Sequence, residues 1–297
     1  MKNVVLFGEC MVELMRASKG VINQSFAGDV FNTAVYLKRT FKEINVALVT
    51  AVGIDDFSGE MVDSFLAEDI NTDFVFRTAD KMPGLYAIKT DESGERSFSY
   101  WRDNSAAREI MKFITDEVVD KLSNADVFFY SGISLAVVLP EHRALFWQMI
   151  ERLKSKGVSI VFDPNYRARL WTSLDETKAQ YEQAFKTANI VLPGVDDFVQ
   201  LYGINTAAGV NTFCQQHDIG EVVIKNGEHG VLCFYNDKQY SVAIEPAENV
   251  VDTTSAGDSF NGVYLGARLL QYDIDTSIKL AAKAAATVIA HRGAIVP

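Results

Sequence analysis

Apolar residues along this chain fall into two patterns. One is a short unbroken run ended by a glycine or a polar residue, the mark of a strand buried on both faces. The other repeats every third or fourth residue, the mark of a helix with one buried side. Val4-Val5-Leu6-Phe7, closed by Gly8, is of the first kind. The segment Gly28-Asp29-Val30-Phe31-Asn32-Thr33-Ala34 leads into the second, with Val30, Ala34, Leu37 and Phe41 on one face and Asp29 suited to capping the helix start. A strand at 46–52 and a helix at about 57–67 follow. Beyond Ala107 the alternation resumes, with strands expected at 127–130, 158–162, 190–192 and 222–224. Helices are expected around 141–155, 175–186, 207–217, 256–270 and 275–290. Such alternation builds a parallel sheet covered on both faces.

Between 72 and 101 the period drops to two. Leu85-Tyr86-Ala87-Ile88 and Ser97-Phe98-Ser99-Tyr100-Trp101 flank a polar turn, Asp91-Glu92-Ser93-Gly94-Glu95, the pattern of a β-hairpin. An antiparallel excursion inside an α/β chain is a candidate lid or dimerisation flap, and residues 11–26, which also lack a helical period, are candidates to extend it. The expected fold class is α/β: one domain over 1–297, with a mostly parallel, doubly wound sheet in a three-layer core. A smaller β-sheet lid is expected from insertions at about 11–27 and 72–107.

Composition narrows the function. Of 297 residues, 48% are apolar and 23% charged, the balance of a globular chain, and the net charge of −11 disfavours nucleic acid and anionic membranes as partners. Cys10, Cys214 and Cys233 form no CxxC pair and read as buried thiols of a reducing compartment. With no secretory signal and no apolar stretch of membrane-spanning length, the expected location is the cytoplasm.

Three segments carry candidate chemistry. In Val251-Asp252-Thr253-Thr254-Ser255-Ala256-Gly257-Asp258-Ser259-Phe260-Asn261-Gly262, small residues precede a helix, whose first amides are left without partners and attract anions. Gly257 allows a phosphate to approach closely. Asp258 either caps this helix or takes a proton from a substrate hydroxyl, and the segment alone leaves both open. Val222-Val223-Ile224-Lys225-Asn226-Gly227-Glu228-His229-Gly230 runs a buried strand into a glycine turn, at the carboxyl end where α/β sheets bind nucleotides. Phe162-Asp163-Pro164-Asn165-Tyr166-Arg167 ends another strand in polar groups; Arg167 is either a surface arginine or a fork for phosphate or carboxylate. No GxGxxG follows the first strand, which argues against an NAD-binding domain.

Together these segments resemble the ribokinase-like sugar kinases, the PfkB family. The resemblance runs from Val4 to Pro297, on Gly28-Asp29-x-x-Asn32-x-Ala34, Asp163-x-Asn165, Lys225-x-Gly227-x-x-Gly230 and Asp252-Thr253-Thr254-Ser255-Ala256-Gly257-Asp258, in family order. It implies ATP and Mg²⁺ as cofactors, with room for a monovalent cation such as K⁺. It also implies a ribokinase-like core with a β-lid that pairs with a second subunit, and Asp258 as the catalytic base. The anion hole and ATP site would comprise Ser255, Ala256, Gly257, Asn165, Arg167, Lys225, Gly227 and Gly230.

Within the family, Phe7-Gly8-Glu9-Cys10-Met11-Val12-Glu13-Leu14, Pro83-Gly84-Leu85-Tyr86, Gly94-Glu95-Arg96 and Tyr100-Trp101-Arg102-Asp103-Asn104-Ser105-Ala106-Ala107 resemble the branch that phosphorylates 2-keto-3-deoxygluconate, a sugar acid, to its 6-phosphate. This branch implies substrate contacts from Gly28, Asp29, Asn32, Tyr86, Tyr100, Arg102, Arg167 and Asp258. Arg102 would pair with the substrate carboxylate, or else bridge to Asp103 or Glu95 on an exposed lid. Three positions depart from the family pattern. Gly194-Val195-Asp196-Asp197 stands where relatives carry Asn-x-x-Glu, so metal contacts stay unassigned; Ser255 and Val263 stand where glycine is common. Two rivals remain: a neutral-sugar kinase of the fructokinase or ribokinase type, and a non-catalytic sugar- or nucleotide-binding regulatory module.

Overall fold

The computed structural model describes every residue except Lys19, 91–95 and 245–249. The turn expected at Asp91 to Glu95 and the Gly94-Glu95 part of the family pattern therefore lie outside the described residues. The strands are β1 (Asn3–Phe7), β2 (Met11–Ser18), β3 (Val21–Ala27), β4 (Asn45–Val52), β5 (Val75–Arg77), β6 (Gly84–Thr90), β7 (Arg96–Trp101), β8 (Val127–Ser131), β9 (Ser159–Asp163), β10 (Ile190–Val191), β11 (Glu221–Lys225), β12 (Val231–Tyr235) and β13 (Lys238–Val242). The helices are α1 (Asp29–Thr40), α2 (Asp56–Ala67), α3 (Asp116–Leu122), α4 (Gly132–Val137), α5 (Arg143–Ser155), α6 (Leu174–Thr187), α7 (Val195–Tyr202), α8 (Ala207–Cys214), α9 (Ala256–Leu269) and α10 (Ile274–Ile289).

A nine-stranded sheet runs β13-β12-β11-β10-β9-β8-β1-β4-β5. From β5 to β11 its neighbours pair in parallel; β12 and β13 close one edge antiparallel. The apolar runs divide by pleat: Val5 and Phe7 join the core under α5 to α8, and Val4 and Leu6 the core under α1, α2, α9 and α10. Strand order reverses between β1 and β8, and ligands of open α/β sheets sit beyond the carboxyl ends of the strands at such a reversal. Glu9, Ser131, Asp163 and Lys225 all stand at or just past those ends. Among the described residues no helix is long and apolar enough to cross a membrane.

A second sheet, β3-β2-β6-β7, stands over this end. Residues 11–27 supply β2 and β3. The excursion expected from 72 begins later, because Val75–Arg77 pairs with β4 and extends the large sheet; only from Gly84 does the chain enter the small one. Asp29 does not cap α1. Gly28 holds the cap position and Asp29 is the first helical residue, its carboxylate turned to Ser131 and Asn165. The strands β12 and β13 went unassigned by periodicity, although Asn236-Asp237 between them, at φ 49° and 58°, is the two-residue turn a tight hairpin requires.

Helices α1 and α9 approach unusually closely. A methyl group on Gly262 would lie 2.3 Å from the carbonyl oxygen of Thr33 and 3.0 Å from the amide nitrogen of Leu37. Both are backbone atoms and cannot rotate aside. Gly262→Ala is therefore expected to destabilise the fold by about 1–3 kcal/mol through overpacking, read as a lower urea midpoint at unchanged m. An unchanged midpoint would show that α1 and α9 can separate freely.

Candidate active site

The first turn of α9 is built from small residues in an unusual conformation. Ser255, its cap residue, sits at φ 64°, ψ 9°, the left-handed region that costs a non-glycine residue about 1–2 kcal/mol. Its hydroxyl oxygen is buried with no hydrogen-bond partner among the described residues. Asp252 shapes the preceding loop, accepting from the amide of Thr254 at 2.9 Å and that of Gly293 at 2.8 Å. Among the described residues the amides of Gly257 and Asp258 meet no acceptor. Two free amides and a buried unpaired hydroxyl at a helix start suit an anion.

Asp258 does not cap this helix, since no side chain makes a cap hydrogen bond there. Its Oδ2 accepts from Nδ2 of Asn32 at 2.8 Å, across the α1–α9 contact. Burial pushes the Asp258 carboxyl up to about 7; neighbouring Asp29 adds to the rise, and the Asn32 hydrogen bond opposes it. Burial likewise raises Asp29, which accepts hydrogen bonds from Ser131 Oγ and from Asn165 Nδ2 at 3.0 Å.

Two cavities meet at this helix start. One, of about 490 Å³, is lined by Asn32, Asp29, Asp258, Tyr100, Arg102 and Arg167 among others. The other, of about 450 Å³, is largely apolar, with Gly227, Gly230, Ala282, Ala285 and Ile289 among its walls. Lys225, Thr253 and Gly257 belong to both. Lys225 is fixed at the junction: its Nζ donates to Asp163 Oδ1 at 3.2 Å and Asn261 Oδ1 at 3.1 Å, and Asn261 Nδ2 donates to Asp163 Oδ2 at 2.7 Å. Gly230, at φ 88°, has room for no side chain, because a Cβ would lie 2.5 Å from the carbonyl oxygen of Val242.

The residues singled out in the sequence thus divide between the two cavities. Asp258, Ser255, Gly257, Lys225, Gly28, Asp29, Asn32, Tyr86, Tyr100, Arg102 and Arg167 line the polar one. Ala256, Gly227 and Gly230 line the apolar one, together with Gly257 and Lys225. Asn165, expected with the nucleotide, lies in the polar cavity against Asp29. Arg102 pairs not with Asp103 but with Glu9, and both side chains are buried; Glu95, the other expected partner, lies outside the described residues. Sequence reasoning assigned no role to Glu9, Glu13, Ser131, Asn261 or Arg169. Glu13 is buried and accepts from Ser25 Oγ at 2.9 Å and from the Tyr86 hydroxyl. Asn261, Glu9 and Glu13 stand inside quoted motifs, where a signal was available. Asp197, in the departing segment, accepts from the amides of Tyr166 at 2.8 Å and Gly194 at 3.4 Å, and burial with neighbouring Asp163 pushes it up to about 6.

A doubly wound sheet, a β-lid and two cavities joined at a helix start with a carboxylate beside it define a ribokinase-like protein. A family model described as pfkB family carbohydrate kinase matches residues 1–297, and the chain belongs to that family. It is 39% identical over 303 residues to the 2-dehydro-3-deoxygluconokinase of Dickeya dadantii, covering 100% of this chain and 97% of the relative. The match to the protein of that name from Haemophilus influenzae is also 39%, over 305 residues, 100% of this chain and 96% of the relative. An Escherichia coli protein solved in complex with ATP and Mg²⁺ shares the fold with a TM-score of 0.87 at 21% identity, over 99% of this chain and 94% of that one.

The raised carboxyl has a consequence for stability. Between its ordinary value of 3.8 and about 7, the folded protein holds the Asp258 proton more tightly than the unfolded chain does. Its contribution therefore falls as pH rises through that window, and the penalty is fully present above it. Asp258→Asn is expected to melt higher than wild type at pH 8, with the difference shrinking toward pH 4. A gap that stayed constant with pH would show that Asp258 ionises normally in the fold.

Proposed function

We propose that the protein transfers the γ-phosphoryl group of ATP to the terminal hydroxyl of 2-keto-3-deoxygluconate, giving the 6-phosphate. One observation carries this reading: the two cavities share the amide-bearing start of α9, and the only carboxylate on that first turn faces the polar side. The full-length relatives named for this substrate support the choice of acceptor. The walls of Gly227, Gly230, Ala282 and Ala285 suit the flat apolar faces of a nucleotide base and leave the polar cavity to the sugar acid.

In this mechanism Asp258 accepts the proton of the acceptor hydroxyl as that oxygen attacks phosphorus in line. The amides of Gly257 and Asp258, the Ser255 hydroxyl and Lys225 meet the charge on the transferred group. Mg²⁺ would neutralise phosphate oxygens; Asp163, which holds Lys225, and Asp197 line the same cavity, and an ion held mainly by phosphate and water fits so small a protein donor set. The lid, with Tyr86 and Tyr100 stacked at 5.5 Å between centroids, covers the acceptor and limits water as a competing nucleophile.

A coupled ADP-release assay with ATP and a panel of keto-deoxy acids, aldonic acids and neutral sugars tests this. Turnover is expected to favour the keto-deoxy acid, and Asp258→Asn to lower kcat by about 10²–10⁴-fold. The pH profile of kcat/KM should fall on the acid side with a midpoint near the Asp258 value of about 7. Preference for fructose would transfer the chain to the neutral-sugar kinases, and no ADP release on any acceptor would leave a binding module.

We also propose that two copies pair through the lid, whose Trp101, Ile22 and Val21 are 62%, 60% and 51% exposed. Sedimentation velocity is expected to give a dimer that Trp101→Lys splits into monomers; a wild-type monomer at micromolar concentration would refute the pairing.

A further inference from the structure

The polar cavity holds four cations, Arg102, Arg167, Arg169 and Lys225, and they are not equivalent. Arg102 is buried against buried Glu9, so the pair presents no net charge to a ligand. Lys225 is bound to Asp163 and Asn261 and sits at the helix start. Arg167 donates through Nη1 to the carbonyl oxygen of Tyr166 at 2.8 Å, and its field falls on buried Asp197.

Arg169 differs from these three. Among the described residues it forms no ion pair and no hydrogen bond, and its guanidinium carbon lies 3.4 Å from the centre of the Tyr100 ring. It stands in the 3₁₀ turn Ala168–Leu170 after β9, on the core, whereas Tyr100 is on β7 of the lid. Tyr100 in turn stacks on Tyr86, whose hydroxyl donates to buried Glu13. The guanidinium face is thus taken by an aromatic ring and its N–H edge is left for an acceptor in the plane, the geometry of bidentate carboxylate binding.

We propose that Arg169 is a specificity-determining residue that receives the carboxylate of the sugar acid, and that its stacking on Tyr100 couples this recognition to closure of the lid on the core. The assignment rests on a sugar acid being the acceptor. A neutral sugar has nothing to offer that edge, so the residue selects acids over neutral acceptors. Because the same guanidinium touches ring and carboxylate, ligand binding fixes it over Tyr100, and the placed ring fixes it for the ligand.

The test is steady-state kinetics of the full-length enzyme with ATP and 2-keto-3-deoxygluconate. Arg169→Gln is expected to raise the KM for the acid about tenfold while moving the KM for ATP and kcat less than about threefold. Arg169→Lys, which keeps the charge and loses the planar fork, should fall between the two. Slow turnover of a neutral ketose should be unchanged. In a Tyr100→Leu background, Arg169→Gln should add less than about threefold, because both changes break one bridge. Melting temperatures within a few degrees of wild type confirm that each exposed-loop variant is folded.

An acid KM within about twofold of wild type for Arg169→Gln would overturn the assignment, as would equal losses on acid and neutral acceptors. Fully multiplicative effects of the Arg169 and Tyr100 changes would overturn the coupling to the lid. A wild-type enzyme that turned over no sugar acid would instead remove the substrate reading itself, and is seen before any variant is made.

Discussion

A carboxylate next to a phosphate is repelled by it, and the protein has to hold Asp258 at the very helix start that attracts the anion. Burial and the neighbouring Asp29 relieve part of this conflict by raising the carboxyl to about 7, so that a proton is shared rather than excluded near neutral pH. Asn32 relieves another part by donating to Oδ2 and fixing that oxygen in place. Lys225, the cation nearest the amides, is held by Asp163 and Asn261 so that its charge stays at the junction of the two cavities. None of these contacts is local in sequence: Asn32 is 226 residues from Asp258, and Asp163 is 98 from Asn261. They exist because α1 and α9 meet across Gly262 and because β9 and β11 end at the same side of the sheet.

The wall opposite Asp258 follows a different electrostatic logic. Glu9 neutralises Arg102 where the lid meets the core, and within the lid Glu13 takes the Tyr86 hydroxyl, so the lid's inner face presents buried pairs rather than free charges. Breaking such a pair from one side leaves an uncompensated charge, and this favours a fixed over a floppy lid base. Free positive charge is left to the rim, on the loop after β9, where a ligand can reach it before the lid settles. The base of the cavity is rigid and neutral by pairing; its rim is cationic and adjustable.

Much of this was legible in the sequence, for identifiable reasons. Parallel strands buried on both faces read as plain apolar runs, so β1, β4, β8, β9 and β11 were visible within a residue or two. The helix-start segment at 252–258 was legible because anion sites are made of consecutive backbone and small residues. Side-chain pairs between distant elements were not: nothing near Arg102 in the chain points to Glu9, and the nearer acids, Asp103 and Glu95, were the natural candidates. Asn165 was placed with the nucleotide by its motif, but its left-handed backbone at φ 33° turns it toward Asp29 instead. The hairpin of β12 and β13 escaped because its flanking residues mix polar and apolar positions, as an exposed sheet edge allows.

Ser255 shows how the site and the fold trade against each other. Its left-handed backbone is disfavoured for any residue with a side chain, and its buried hydroxyl lacks a partner within the protein. Each is a stability loss of order 1 kcal/mol that glycine would avoid at no expense in packing, since serine adds little to the core. A core selected for stability alone would not keep both losses at one position. They make sense if the hydroxyl serves an oxygen that arrives with the substrate, where a donor with no internal partner is already aimed and desolvated. The same reasoning applies to Asp258, which the fold holds at a stability loss above pH 7, one helical turn from the residue that carries the other strain.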